Sequence, residues 1–196
     1  MFHDIPASIA EVMGDLERRD QIDRDDGTTQ RERLRQIPRE TGHFLALLAA
    51  SAPDGTWIEI GTSAGYSALW LSLACRARSR TLTTYEVLAD KAARARATFK
   101  KAEVEDIVVL VEADFLEHVE QLGDVSFCFL DAEKGDYTRC YEAVVPHLVS
   151  GALLVADNVI SHQQELEDFV NMALSDARVD ALVVPIGKGE LVCRRR

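Results

Sequence analysis

Trp57-Ile58-Glu59-Ile60-Gly61-Thr62-Ser63-Ala64-Gly65-Tyr66-Ser67 is the stretch whose reading decides the fold. A short apolar run carrying one acid turns through two glycines and opens into the helical pattern Ala68, Leu69, Trp70, Leu71, Leu73. Strand, glycine turn and helix bring backbone against a small polar ligand. Glycine permits close approach, and the helix start offers unpaired N–H donors. The Gly-x-x-x-Gly spacing is not the dinucleotide fingerprint Gly-x-Gly-x-x-Gly. Any tight strand-to-helix connection can want these residues, so the weight of the turn comes from its surroundings.

On the C-terminal side the same alternation repeats. Strands are expected at 56–60, 81–87, 107–112, 126–130 and 152–156, with helices at 66–77, 89–102, 115–122, 136–148 and 162–174. The strands are continuous apolar runs, as required when helices cover both faces of a parallel sheet. Residues 179–186, the turn Gly187-Lys188-Gly189 and residues 190–194 read as a closing hairpin, which adds an antiparallel strand. The expected fold is α/β, a doubly wound and mostly parallel seven-stranded sheet ending in that hairpin.

On the N-terminal side the chain changes character. Ile5, Ile9, Val12, Met13 and Leu16 mark an amphipathic helix, and a highly charged stretch runs from Glu17 to Arg35. Asp23 to Thr29 reads as a break between two helices. Residues 1–36 thus form a helical appendage, too short for its own core, on a domain spanning 37–196. Its apolar stripe needs a cover, from the main domain or from a second copy, so a homodimer is expected. A helix follows from the step Ile37-Pro38-Arg39-Glu40, carrying Phe44, Leu45, Leu47 and Leu48.

The 196 residues carry a net charge of −11, with 47% hydrophobic and 28% charged residues. That balance argues against a nucleic-acid partner, because phosphate neutralisation needs clustered cations. No apolar run reaches membrane-spanning length and the N-terminus does not open like a signal peptide, so a cytoplasmic protein is expected. Cys75, Cys128, Cys140 and Cys193 are scattered and read as reduced thiols.

In an open α/β sheet, ligands sit outside the carboxyl ends of the strands. The second strand ends in Tyr85-Glu86. A carboxylate there can accept both hydroxyls of a ribose, at an offset similar to the about 20 residues of the dinucleotide pattern. A surface acid is the alternative. The third ends in Glu112-Ala113-Asp114, where Asp114 can meet an adenine amino group, cap the next helix, or do both through different oxygens. The fourth and fifth end in Asp131 and Asp157-Asn158. Neighbouring strands lie about 4.8 Å apart, so these three side chains can share one cation. Oxygen donors select a hard ion, Mg²⁺ first, with Mn²⁺ or Ca²⁺ possible. The alternative is that both aspartates merely terminate strands. Lys134, just past Asp131, can take a proton from a hydroxyl that an ion has acidified. His43, His118, His147 and His162 have no partner at ligand spacing.

Taken together, the segment from Ile58 to Ser67, Tyr85-Glu86, Leu130-Asp131-Ala132-Glu133-Lys134-Gly135-Asp136-Tyr137 and Asp157-Asn158-Val159 resemble the cation-dependent O-methyltransferases. These are the S-adenosylmethionine-dependent enzymes of the catechol and caffeoyl-CoA type. The resemblance implies a Rossmann-like class I methyltransferase fold over roughly residues 34 to 196. It implies that Glu59, Gly61 and Ser63 face the methionine part of the cofactor, with Tyr66 and Ser67 near its carboxylate. Glu86 would hold the ribose, Ala113 and Asp114 would lie at the adenine, and Asp131 would border the cofactor while binding the ion with Asp157 and Asn158. Lys134 matches the catalytic base. The acceptor would be a small hydroxylated molecule. The connection after Asn158 is shorter than in typical members, so the acceptor side is either more open or closed by the N-terminal appendage or a partner subunit. A protein that binds the cofactor without transferring the methyl group is the alternative reading. A nicotinamide-dependent dehydrogenase is disfavoured by the missing third glycine.

Overall fold

The computed structural model describes residues 1–29 and 33–196. Its single sheet has seven strands: β1 (Thr56–Ile60), β2 (Leu82–Glu86), β3 (Val108–Glu112), β4 (Val125–Leu130), β5 (Leu148–Ala156), β6 (Val179–Val184) and β7 (Glu190–Arg195). Their spatial order is β3-β2-β1-β4-β5-β7-β6. β1 to β5 pair in parallel, and β7 runs antiparallel between β5 and β6. The order reverses between β1 and β4, which puts the switch point beside the Gly61 turn.

Side chains alternate across β4 and divide the core in two. Phe127 and Phe129 face a layer containing Trp57, Leu69, Trp70 and Phe99. Cys128 and Leu130 face the other layer, with Ile58, Tyr141, Phe169 and Leu191. α2 (Arg39–Ser51), α3 (Tyr66–Arg78) and α4 (Ala89–Lys101) build the first layer, α5 (Tyr137–Val144) and α6 (Gln163–Ser175) the second. All six residues of β4 are buried, as a central strand covered on both faces requires. The four cysteines are free thiols inside these layers. No helix among the described residues is long and apolar enough to cross a membrane.

Three local expectations need correction. The first helix, α1 (Ala7–Asp25), runs past Asp23 and ends inside the break expected over 23–29. The pairs Arg19–Asp23, Arg24–Asp20 and Gln21–Asp25, each one helical turn apart, carry it through the charged stretch. The turn comes at Asp26 and Gly27, whose φ is +84°, and no second helix precedes α2 among the described residues. The segment 115–122 forms two 3-10 turns, Phe115–Glu117 and Val119–Gln121, rather than an α-helix, being too short to pass nucleation comfortably. The helix expected over 136–148 is α5 flanked by 3-10 turns at Lys134–Asp136 and Val145–His147. Pro146, which has no N–H, interrupts it.

α1 lays Ile9, Val12 and Met13 into the layer formed by α3 and α4. The stripe that led to the expectation of a homodimer is thus covered within the chain.

Candidate functional site

The carboxyl ends of β2, β1, β4 and β5 are locked together beyond the last strand residues. Gly61 N–H donates to Tyr85 O at 3.0 Å, Asp131 N–H to Ile60 O at 2.9 Å, and Asp157 N–H to Leu130 O at 3.1 Å. Parallel pairing therefore fixes where Gly61, Asp131 and Asp157 leave the sheet. At Gly61, φ is +100° and a Cβ would run into the Asp131 carbonyl. Only glycine lets these two strand ends approach so closely. A cavity of about 1130 Å³ opens there, between the strand ends and residues 33–37.

One half of the cavity is built from the turn and the ends of β2 and β3. Ser63 N–H donates to Glu86 Oε2 at 2.8 Å, and Leu88 N–H donates to Glu86 Oε1 at 2.9 Å. Both oxygens are held by backbone, so the carboxylate is fixed in orientation with lone pairs left for a ligand. Asp114 Oδ1 accepts from Leu116 N–H at 2.9 Å, so it caps the 3-10 turn through one oxygen and leaves the other free. Gly61, Ser63, Ser67, Glu86, Ala113 and Asp114 all line the cavity.

Two residues expected at the cofactor stand apart from this lining. Glu59 lies beneath the turn, fully buried, accepting from the Thr84 hydroxyl at 2.6 Å. Burial pushes its carboxyl up to about 7. Tyr66, the first residue of α3, turns the other way, into the helical layer. Its hydroxyl donates to Glu17 Oε1 of α1 at 2.5 Å and its ring packs edge-on to Trp70.

The other half of the cavity is acidic. Asp131 Oδ1 accepts from Lys134 Nζ at 3.1 Å and from Asn158 Nδ2 at 3.2 Å. Lys134 Nζ also donates to Ala132 O at 3.2 Å and to Tyr137 Oη at 2.8 Å, which uses all three ammonium protons. The Tyr137 hydroxyl in turn donates to Asp157 O at 3.1 Å. Burial, together with Asp131, Asp157 and Glu190, holds that phenol well above its ordinary range. Asp157 sits just behind the cavity wall. Its Oδ1 accepts from Asn158 N–H at 2.6 Å, and its Oδ2 is buried with no hydrogen-bond partner. Burial and the Asp131 charge push its carboxyl upward. Asn158 takes a left-handed φ of +71°, which aims its amide back at Asp131.

The structure thus brings Asp131, Lys134, Asp157 and Asn158 together and adds residues that sequence reading passed over. Glu190, at the start of β7, is fully buried beside Asp157, and neither of its oxygens makes a hydrogen bond. An acid opening an otherwise apolar strand was the available signal. The segment 33–37 also crosses the cavity mouth. Ser63 Oγ donates to Leu34 O at 2.8 Å, Arg35 pairs with Glu133 at 2.8 Å, and Lys188 Nζ donates to Gln36 O at 3.3 Å. These bonds tie residues 34–36 to the Gly61 turn, to Glu133 and to the closing hairpin. Among the described residues, no three His, Cys, Asp or Glu side chains already form a metal cage.

Comparison with known proteins bears on the family and the fold. The O-methyltransferase family model matches residues 20–196. A caffeoyl-CoA O-methyltransferase of Stellaria longipes is 26% identical over 178 residues, covering 79% of this chain and 73% of that enzyme. A catechol O-methyltransferase of Niastella koreensis is 32% identical over 132 residues, covering 65% of this chain and 59% of that enzyme. Among solved structures, the SAH-bound methyltransferase PaMTH1 of Podospora anserina superposes with a TM-score of 0.81 at 22% identity. That superposition covers 98% of this chain and 89% of that one.

Proposed function

Since the chain belongs to the O-methyltransferase family, we propose that it moves a methyl group from S-adenosylmethionine to a hydroxyl of a small acceptor, assisted by a divalent cation. The observation that carries this reading is one cavity with two chemically different halves. Glu86 and the Gly61 turn line one half, and Asp131, Lys134 and Asn158 line the other. Family relatives that methylate catechol and caffeoyl-CoA support the assignment.

In this reading the Gly61 turn and Ser67 receive the amino-acid end of the cofactor, Glu86 its ribose, and Ala113 with Asp114 its adenine. The sulfonium makes the methyl group electrophilic, so the protein need only align donor and acceptor and exclude water. The segment 33–37 supplies that exclusion over the cavity mouth. Asp131, Asp157 and Asn158 would hold the cation. Their donors are all oxygen, and the buried, unpartnered Asp157 Oδ2 is a ligand atom awaiting a partner, which fits Mg²⁺, Mn²⁺ or Ca²⁺. Bound there, the ion acts as a Lewis acid that lowers the pKa of an acceptor hydroxyl.

Lys134 is the proton acceptor in this account. Its Nζ lies 3.1 Å from Asp131 Oδ1, at the mouth of the proposed cation site. Tyr137 fixes the direction of Nζ toward the cavity. A cofactor-binding module without transfer would have no use for this arrangement.

The test is methyl transfer from labelled S-adenosylmethionine to a panel of catechols and phenols. Lys134→Ala should lower turnover by roughly 10²–10⁴-fold, the usual worth of a general base, with cofactor affinity nearly unchanged. An equal loss of turnover and cofactor affinity would make Lys134 a structural residue. No transfer to any hydroxyl in the panel, alongside tight cofactor binding, would favour the module.

A further inference from the structure

The register of the closing hairpin places one acid where the cation reading does not require it. Ala156 pairs with Leu191 across β5 and β7. One step outward, antiparallel pairing sets Asp157 opposite Glu190, with their side chains on the same face. Like charges directly opposite one another destabilise a sheet, and burial adds a desolvation cost. Both residues are nonetheless fully buried.

Among the described residues no Lys or Arg forms an ion pair with either acid, and Lys188 acts on Asp157 only through space. Lys134 is spent on Asp131, Ala132 and Tyr137, and Lys188, two residues before Glu190, donates to the Gln36 carbonyl. The Thr41 hydroxyl lies within reach of Glu190. Three carboxylate oxygens, Asp157 Oδ2 and both of Glu190, are therefore buried side by side with no N–H group directed at them. Native interiors rarely leave even one such atom.

We propose that Glu190 is a further carboxylate donor of the cation site formed by Asp131, Asp157 and Asn158. The inference rests on the cation reading above. A divalent ion converts the repulsion between the facing acids into shared attraction. Among the described residues no three acids already converge on one point, so Glu190 would have to turn toward Asp131 and Asp157 to share an ion with them. A third carboxylate raises both the charge and the oxygen count of the site. Both changes tighten binding and suit an ion that takes more ligands than Mg²⁺ does, such as Ca²⁺.

The experiment is a Mn²⁺ titration of the whole chain, following the free-ion signal by electron paramagnetic resonance. Wild type, Glu190→Gln, Glu190→Asp and Asp157→Asn are compared. S-adenosylhomocysteine affinity by calorimetry reports that each variant is folded. The expected result is Mn²⁺ binding weakened about 10–100-fold in Glu190→Gln, an intermediate loss in Glu190→Asp, and the greatest loss in Asp157→Asn. Wild-type Mn²⁺ affinity in both Glu190 variants, with binding lost in Asp157→Asn, would overturn the role of Glu190 and leave the cation reading standing. No Mn²⁺ binding by wild type would overturn both. If Glu190→Gln fails to bind S-adenosylhomocysteine, Glu190→Asp decides, because it keeps the charge and shortens only the reach.

Discussion

The two halves of the cavity are finished to different degrees. On the Gly61 side the polar groups that line the cavity are held by the chain itself. Glu86 takes two backbone N–H groups, Asp114 caps a turn, and Ser63 reaches the Leu34 carbonyl. On the Asp157 side three buried carboxylate oxygens have no partner. A half that is complete without ligand is preorganised for one constant partner. A half left with uncompensated buried charge is completed by what it binds, and its residues contribute to activity more than to the standing fold.

Substitutions on the two sides should therefore separate cleanly. The largest effect is expected from Asp157→Ala, which should reduce methyl transfer by about 10³-fold, the several kcal/mol that a Lewis-acid ion supplies. Cofactor affinity measured by calorimetry should hardly change. Glu86→Ala should do the reverse, weakening S-adenosylmethionine binding about 100-fold through lost charge-assisted hydrogen bonds. If both variants lost cofactor affinity equally, the two halves would be one unit and the contrast would fail.

A smaller effect probes the boundary between them. Glu59 lies under the turn, and its carboxyl is raised from 4.5 to about 7 by burial. The folded state therefore holds a proton that the unfolded chain releases, so its contribution is full below pH 4.5 and is lost as pH rises toward 7. Thermal melts from pH 4.5 to 7.5 should show wild type losing on the order of 2 kcal/mol relative to Glu59→Gln, a variant that stays neutral throughout. Parallel pH profiles for the two proteins would mean that Glu59 is ionised in the fold.

The smallest effect is expected at Tyr66. Its hydroxyl serves Glu17 of α1, so Tyr66→Phe should cost about 1 kcal/mol of stability and leave cofactor affinity untouched. A drop in cofactor affinity instead would return Tyr66 to the binding site.

How much of this was legible depended on whether a residue's role is local. Continuous apolar runs fixed the parallel strands and hence their carboxyl ends, where Glu86, Asp114, Asp131 and Asp157 were found by position alone. The direction of a side chain at a helix start was not legible. Ser67 lines the cavity, whereas Tyr66, one residue earlier, points into the helical layer. Glu190 and the 33–37 segment were missed because each acts through a partner far along the chain. The hairpin register brings Glu190 to Asp157, and Arg35 crosses to Glu133. Helix length in α1 was underestimated because side-chain pairs, not apolar spacing, carry its second half.

The measurement that tests the account most directly pairs cofactor binding with methyl transfer, each with EDTA and again after Mg²⁺ is restored in excess. The account predicts S-adenosylmethionine affinity unchanged throughout, while transfer to a catechol or phenol stops with the chelator and returns with the ion. Transfer that continues undiminished in EDTA would contradict it.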